Sequence, residues 1–194
     1  MCSEPTSYGR QVAVHGAELR VQVDGPAAAP WLVLSSSLGS TLEMWEPQVV
    51  AFSRGYRVLR YDTRGHGHSS VPARPYTLEQ LGRDVLGLLD ALGIERAHYC
   101  GLSLGGATGM WLSVHAPRRI EQLVLCNTTP WLGPPEAMNA RIAALRRNGM
   151  PSLVEAILER WFTPEFRAFH PQAVDAIRQA LLTTPCLLYT SRCV

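Results

Sequence analysis

The chain has 194 residues, of which 46% are hydrophobic and 18% charged, and its formal net charge is +2. This is enough for one good core, and the charge is too balanced to mark a nucleic-acid or membrane surface. The opening residues MCSEPTSYGR carry no apolar h-region and no apolar run reaches membrane-spanning length, so a cytoplasmic protein without leader or anchor is expected. Five cysteines (Cys2, Cys100, Cys126, Cys186 and Cys193) show neither disulfide nor metal spacing. Cys100 and Cys126 fall inside apolar runs and read as small core residues.

In chain order, Val12 and Val14 followed by Leu19, Val21 and Val23 alternate about His15-Gly16-Ala17, the pattern of a β-hairpin with one buried face. After a spacer from Gly25 to Pro30, Trp31-Leu32-Val33-Leu34 reads as a strand buried on both faces. A loop of small polar residues, 35–40, leads to a short helix with Met44, Trp45, Val49 and Phe52, which stops at Gly55. Residues 56–61 form the next strand and end in Asp62-Thr63-Arg64-Gly65-His66-Gly67-His68-Ser69. The clearest helix follows, with Thr77 and Gln80 as a capping box, Leu78, Leu81, Val85, Leu88, Leu89 and Leu92 as its apolar face, and Gly93 as its stop.

Tyr99-Cys100-Gly101-Leu102-Ser103-Leu104-Gly105-Gly106 then joins a short strand at 97–100 to an amphipathic run at 107–115. Strand, tight turn and helix with glycines two residues either side of a serine make the G-x-S-x-G nucleophile elbow. β-Carbons at 101 and 105 would crowd so sharp a turn, and the helix start aims free N–H groups at the place where an oxyanion would form. A further strand runs through Leu123-Val124-Leu125-Cys126. Alternating strands and helices of this kind predict a mostly parallel α/β sheet, with its ligand site at the carboxyl ends of the strands, where Ser37, Asp62 and Ser103 fall. From Asn127 onward prolines interrupt the chain and helical patterns follow at 142–147, 153–161 and 174–182, the composition of a helical lid over the site.

These residues resemble the α/β-hydrolase superfamily, and within it the 3-oxoadipate enol-lactonases of aromatic catabolism, from about Val12 to Pro185. The resemblance rests on Ser37-Leu38-Gly39 with Met44-Trp45-Glu46-Pro47-Gln48, on Tyr61-Asp62-Thr63-Arg64-Gly65-His66-Gly67, on the elbow, on Leu125-Cys126-Asn127-Thr128 and on Arg160-Trp161-Phe162-Thr163-Pro164. Ser36 departs from the asparagine expected there. The resemblance implies an α/β-hydrolase fold with helices on both sheet faces and a helical cap, lacking its last strands. It also implies Ser103 as nucleophile and the backbone N–H groups of Ser37 and Leu104 as the oxyanion hole, with Gly101 and Gly105 shaping the elbow. It implies a small carboxylated lactone or ester as substrate and no cofactor, metal, nucleic-acid or membrane partner. Trp131, Arg141 and Trp161 are candidates for substrate binding, with Arg146 and Arg160 as further cations. The rival readings are a general esterase, a carbon–carbon hydrolase of ring-cleavage products, a cofactor-free peroxidase, and a non-catalytic binding module of the same fold.

In this fold the triad runs in the order Ser, acid, His. After Ser103 the histidines are His115, at a helix end, and His170, between Phe169 and Pro171, and neither suits a general base. His66, His68 and Asp62 read as loop supports, and Asp175 as solvated. The expected division is a core at 1–127, a cap at 128–185, and a tail at 186–194 that fits nothing before it. The tail begins with residues that can be encoded by TGTCTCTTATACACATCT, a transposon end used in building sequencing libraries. It therefore reads as non-native, the alternative being a natural short tail, and the chain as a truncated and inactive form of an enol-lactonase-like parent with an unpaired sheet edge.

Overall fold

The computed structural model describes residues 8–72, 76–131 and 135–184; the expected tail at 186–194 lies outside them. Its strands are β1 (Tyr8–Val14), β2 (Ala17–Asp24), β3 (Trp31–Ser35), β4 (Arg57–Tyr61), β5 (Ala97–Leu102) and β6 (Ile120–Cys126). They form one sheet in the order β1-β2-β4-β3-β5-β6. The β1–β2 and β2–β4 pairs are antiparallel, whereas β3–β4, β3–β5 and β5–β6 are parallel. The hairpin turn uses His15 and Gly16, both at positive φ, which matches the right-handed twist of the flanking strands.

Helices cover both faces. On one side α2 (Leu78–Ala91) and α3 (Leu104–His115) bury Val85, Leu88, Leu89 and Leu112 against Leu19, Val21, Val33, Leu59 and Tyr99 of the sheet. Each such fully buried leucine contributes about 1.5–3 kcal/mol relative to exposure. On the other side a 3₁₀ turn at Leu42–Trp45 and α1 (Glu46–Phe52) pack Trp45 and Val49 on Leu32, Leu34 and Val58. The Thr77 side chain accepts the Gln80 N–H at 3.1 Å and caps α2, and Gly93 at φ 68° ends it, as the sequence predicts.

After β6 come α4 (Pro135–Asn148), α5 (Pro151–Trp161), α6 (Pro164–Phe169) and α7 (Pro171–Thr183). Their own apolar cluster, built on Leu145, Met150, Val154, Ile157, Leu158, Val174 and Leu181, receives Leu38 from the loop after β3. The short α6 escapes sequence reading because its apolar residues, Phe166 and Phe169, are exposed. Thr163, which accepts the Phe166 N–H at 3.2 Å, is its one local start signal besides Pro164.

α3 begins at Leu104, directly after Ser103 and ahead of the amphipathic run at 107–115. Two expectations need correction. β6 begins at Ile120, three residues before the apolar run. Cys100 and Cys126 are half-buried rather than core residues. The last has a topological cause: among the described residues β6 has a strand on one side only, with Val124 52% and Leu125 42% exposed. Among the described residues no helix is long and apolar enough to cross a membrane.

Candidate active site at the strand–helix elbow

Ser103 lies between β5 and α3, half-buried, with φ 53° and ψ −108°. A serine in this region carries strain of about 1–3 kcal/mol and stays there only where its surroundings impose it. They do so from several directions. The Ser103 N–H donates to the Cys126 carbonyl at 2.9 Å, and the Ser103 carbonyl accepts the Ala107 N–H at 2.9 Å and the Thr128 hydroxyl at 2.9 Å. A β-carbon on Gly101 would come within 2.6 Å of the Gly106 nitrogen, and one on Gly105 within 2.6 Å of the Ser35 carbonyl carbon. All of these obstacles are backbone, so neither position can accept a side chain without moving a strand or a helix start.

Beneath the elbow sits a buried hydroxyl cluster. Tyr61 and Ser35 hydrogen-bond at 2.7 Å, and the Tyr99 hydroxyl donates to the Gly105 carbonyl at 2.9 Å. Burial pushes the Tyr61 phenol up to about 12 and raises Tyr99 well above its ordinary value. Both therefore stay protonated donors at neutral pH. No sequence pattern announces this cluster, because its members come from three strands.

The loop after β3 reaches the same point. The Gly105 N–H donates to the Ser36 carbonyl at 3.1 Å, which brings Ser36-Ser37 against the first turn of α3. The Leu104 N–H belongs to that first turn, where no helical carbonyl precedes it. Ser37 is buried, and its carbonyl accepts the Ser40 N–H at 3.2 Å and hydroxyl at 2.8 Å. Gly39 donates at 2.9 Å to Nε2 of the fully buried His66, whose Nδ1 lies 3.3 Å from the Arg64 carbonyl. This pattern calls for the neutral tautomer with the proton on Nδ1, and burial drives the ring down to about 4. His66 is thus the anchor of the Ser37 loop, a role the sequence hints at only as loop support.

Asp62 is fully buried. Its carboxylate accepts the Leu42 N–H at 2.8 Å and the His68 N–H at 3.0 Å, with Arg20 at 3.4 Å. Burial raises its pKa, while these donors pull it back. Arg64 beside it is buried in an ion pair with Asp84, its guanidinium 5.7 Å from the Tyr76 ring centroid. His115 ends α3, stacked on Trp111 at 4.3 Å, roughly 16 Å of helix away from Ser103. His170 sits exposed between α6 and α7 with its ring 4.6 Å from Phe166. Asp175 is exposed, 3.5 Å from Arg178.

The substrate-binding candidates are dispersed. Trp161 packs half-buried against the α5–α7 cluster, and Trp131 is 71% exposed. Arg141 falls on α4, with its side chain outside the described part of the structure. Among the described residues no group of three or more His, Cys, Asp or Glu side chains could hold a metal ion.

Comparison with known proteins finds relatives along most of the chain. The 3-oxoadipate enol-lactonase 2 of Acinetobacter baylyi is 42% identical over 169 residues, covering 87% of this chain and 63% of the relative. The 3-oxoadipate enol-lactonase 1 of the same bacterium is 42% identical over 178 residues, covering 92% of this chain and 66% of that one. The chain thus spans just under two thirds of the length of these relatives. The crystal structure of the enol-lactonase from Burkholderia xenovorans LB400 superimposes with a TM-score of 0.91 at 49% identity, covering 95% of this chain and 72% of that one. The family model for the alpha/beta hydrolase fold matches residues 30–176. With its strained serine between β5 and α3, its sheet order and this match, the chain belongs to the α/β-hydrolase family.

Proposed function

We propose that the whole protein opens a small carboxylated enol-lactone, of the 3-oxoadipate enol-lactone type, by nucleophilic catalysis at Ser103. Ser103 Oγ attacks the lactone carbonyl, the N–H groups of Leu104 and Ser37 receive the oxyanion, and the ring oxygen leaves as an enol that becomes the 3-oxo group. Water then hydrolyses the acyl-enzyme. Loss of one oxyanion donor in such a site costs on the order of 3 kcal/mol in the transition state. The observation that carries this reading is the serine at φ 53° on the helix start, flanked by backbone that forbids side chains at 101 and 105. The choice of an enol-lactone rests on the relatives at 42% and 49% identity.

Helices α4–α7 are assigned as a cap over the strand ends, with Arg141 on α4 as the first candidate for the substrate carboxylate and Trp131 and Trp161 as pocket walls. The triad acid and base are assigned to sequence beyond Pro185 in the parent, since the described histidines after Ser103 sit at a helix end and at the α6–α7 junction. The 194-residue chain alone is therefore expected to be inactive, and rapid hydrolysis of an activated ester by it, abolished in Ser103→Ala, would refute that.

For the parent, the test is turnover of 3-oxoadipate enol-lactone beside an aliphatic ester and a carbon–carbon ring-cleavage product. The expected result is preference for the lactone and at least about a 10³-fold loss in Ser103→Ala. Turnover of the other substrates alone would leave a serine hydrolase and remove the lactone. Activity within tenfold in Ser103→Ala would remove the nucleophile.

A further inference from the structure

Cys100 on β5 and Cys126 on β6 are both free and half-buried. The parallel register pairs Cys100 with Val124 and Leu102 with Cys126, so Cys126 lies two residues further along on the same sheet face as Cys100. That offset sets the two side chains on one diagonal of the same sheet face, across the β5–β6 ladder. Burial first, and Cys126 second, push the Cys100 thiol up to about 11. At neutral pH the Cys100 thiol is therefore protonated and by itself a slow nucleophile toward peroxides and alkylating agents.

A ligand suited to these residues takes two sulfurs from adjacent strands, reacts with a protonated thiol, and is satisfied without a third side chain. Among the described residues no cluster of three metal-ligating groups exists, which disfavours ions that demand four protein ligands.

We propose that Cys100 and Cys126 form a dithiol site for trivalent arsenic compounds, set in the two strands that hold the Ser103 turn. An arsenical R–As(OH)₂ takes both thiols at once. Two As–S bonds form, two S–H and two As–O bonds break, and two waters leave, with no change of oxidation state. The bridge ties β5 to β6 next to the Cys126 carbonyl that accepts the Ser103 N–H.

The test uses the full chain carrying Cys2→Ser, Cys186→Ser and Cys193→Ser, which leaves the pair as its only thiols. Native mass spectrometry with phenylarsine oxide should show one equivalent bound, at the mass of the chain plus phenylarsine oxide less one water (two waters counted from its hydrate), displaced by excess dithiothreitol. Adding Cys100→Ser or Cys126→Ser should weaken binding by roughly 100-fold or more, the gain that a second tethered ligand provides. Far-UV circular dichroism of each unliganded variant checks that the sheet persists. Absence of binding in the two-thiol chain, or binding within tenfold in either single-thiol variant, would overturn the proposal.

Discussion

The two ends of the sequence-to-site path are built differently. The elbow is fixed by neighbours in β3, β5, β6 and α3, through backbone hydrogen bonds to Ser103 and Gly105 and through space that only glycine fits. The helices after β6 form a separate apolar cluster, reaching the sheet side by Leu38 and by a Thr184 hydroxyl 3.5 Å from the Gly39 carbonyl. A nucleophile must be held within a fraction of an ångström, so its support is redundant. A substrate pocket can vary its lining, so helices tethered at few points suffice. Under the proposed function, the chemistry belongs to the sheet and the selectivity to the helices.

The sharpest way to break this comparison is to load each region in turn. Gly105→Ala sets a methyl against the Ser35 backbone and should destabilise by about 4 kcal/mol or more, or prevent folding, as read by urea denaturation. Removing one partner of the buried Arg64–Asp84 pair with Asp84→Ala should cost about 3–5 kcal/mol, because the guanidinium is left without its counter-charge. On the helical side, Glu155→Ala removes an exposed ion pair to Arg178 and should shift stability by less than about 1 kcal/mol. A loss on α5 comparable to that at Gly105 would erase the distinction.

Acid sharpens the same contrast. His66 is neutral in the folded chain, with its pKa pushed down to about 4, against about 6.5 for an unfolded histidine. Between these values the unfolded chain binds the extra proton, so stability present above pH 6.5 is lost as the pH falls toward 4. The loss is on the order of 3 kcal/mol at most. Denaturation midpoints measured across this window should slope, and His66→Gln should flatten the slope; an unchanged slope would remove His66 as the anchor of the Ser37 loop.

Much of this was legible in the sequence because local chemistry and fold agree. Thr77, Gln80 and Gly93 bound α2 by capping rules, and Gly101, Ser103 and Gly105 mark a turn whose steric demands are local. What escaped is non-local. Tyr61, Ser35 and Tyr99 meet only because β4, β3 and β5 are neighbours. Cys100 and Cys126 look like core residues from their apolar flanks, yet both are half-buried, Cys126 on a strand that among the described residues is paired on one side only. Trp131, in the segment between β6 and α4, is exposed, whereas Trp161 at the end of α5 packs on the helical cluster, a difference that only the tertiary arrangement decides.

Strain at Ser103 is tested most directly by comparing Ser103→Gly with Ser103→Ala in thermal or urea unfolding. Both remove the hydroxyl, but only glycine relieves a backbone at φ 53° and ψ −108°. Ser103→Gly should be more stable than Ser103→Ala by about 1 kcal/mol or more. Equal stability, or a less stable glycine variant, would mean that the serine rests in a relaxed turn, and the reading of this position as a built nucleophile would fail.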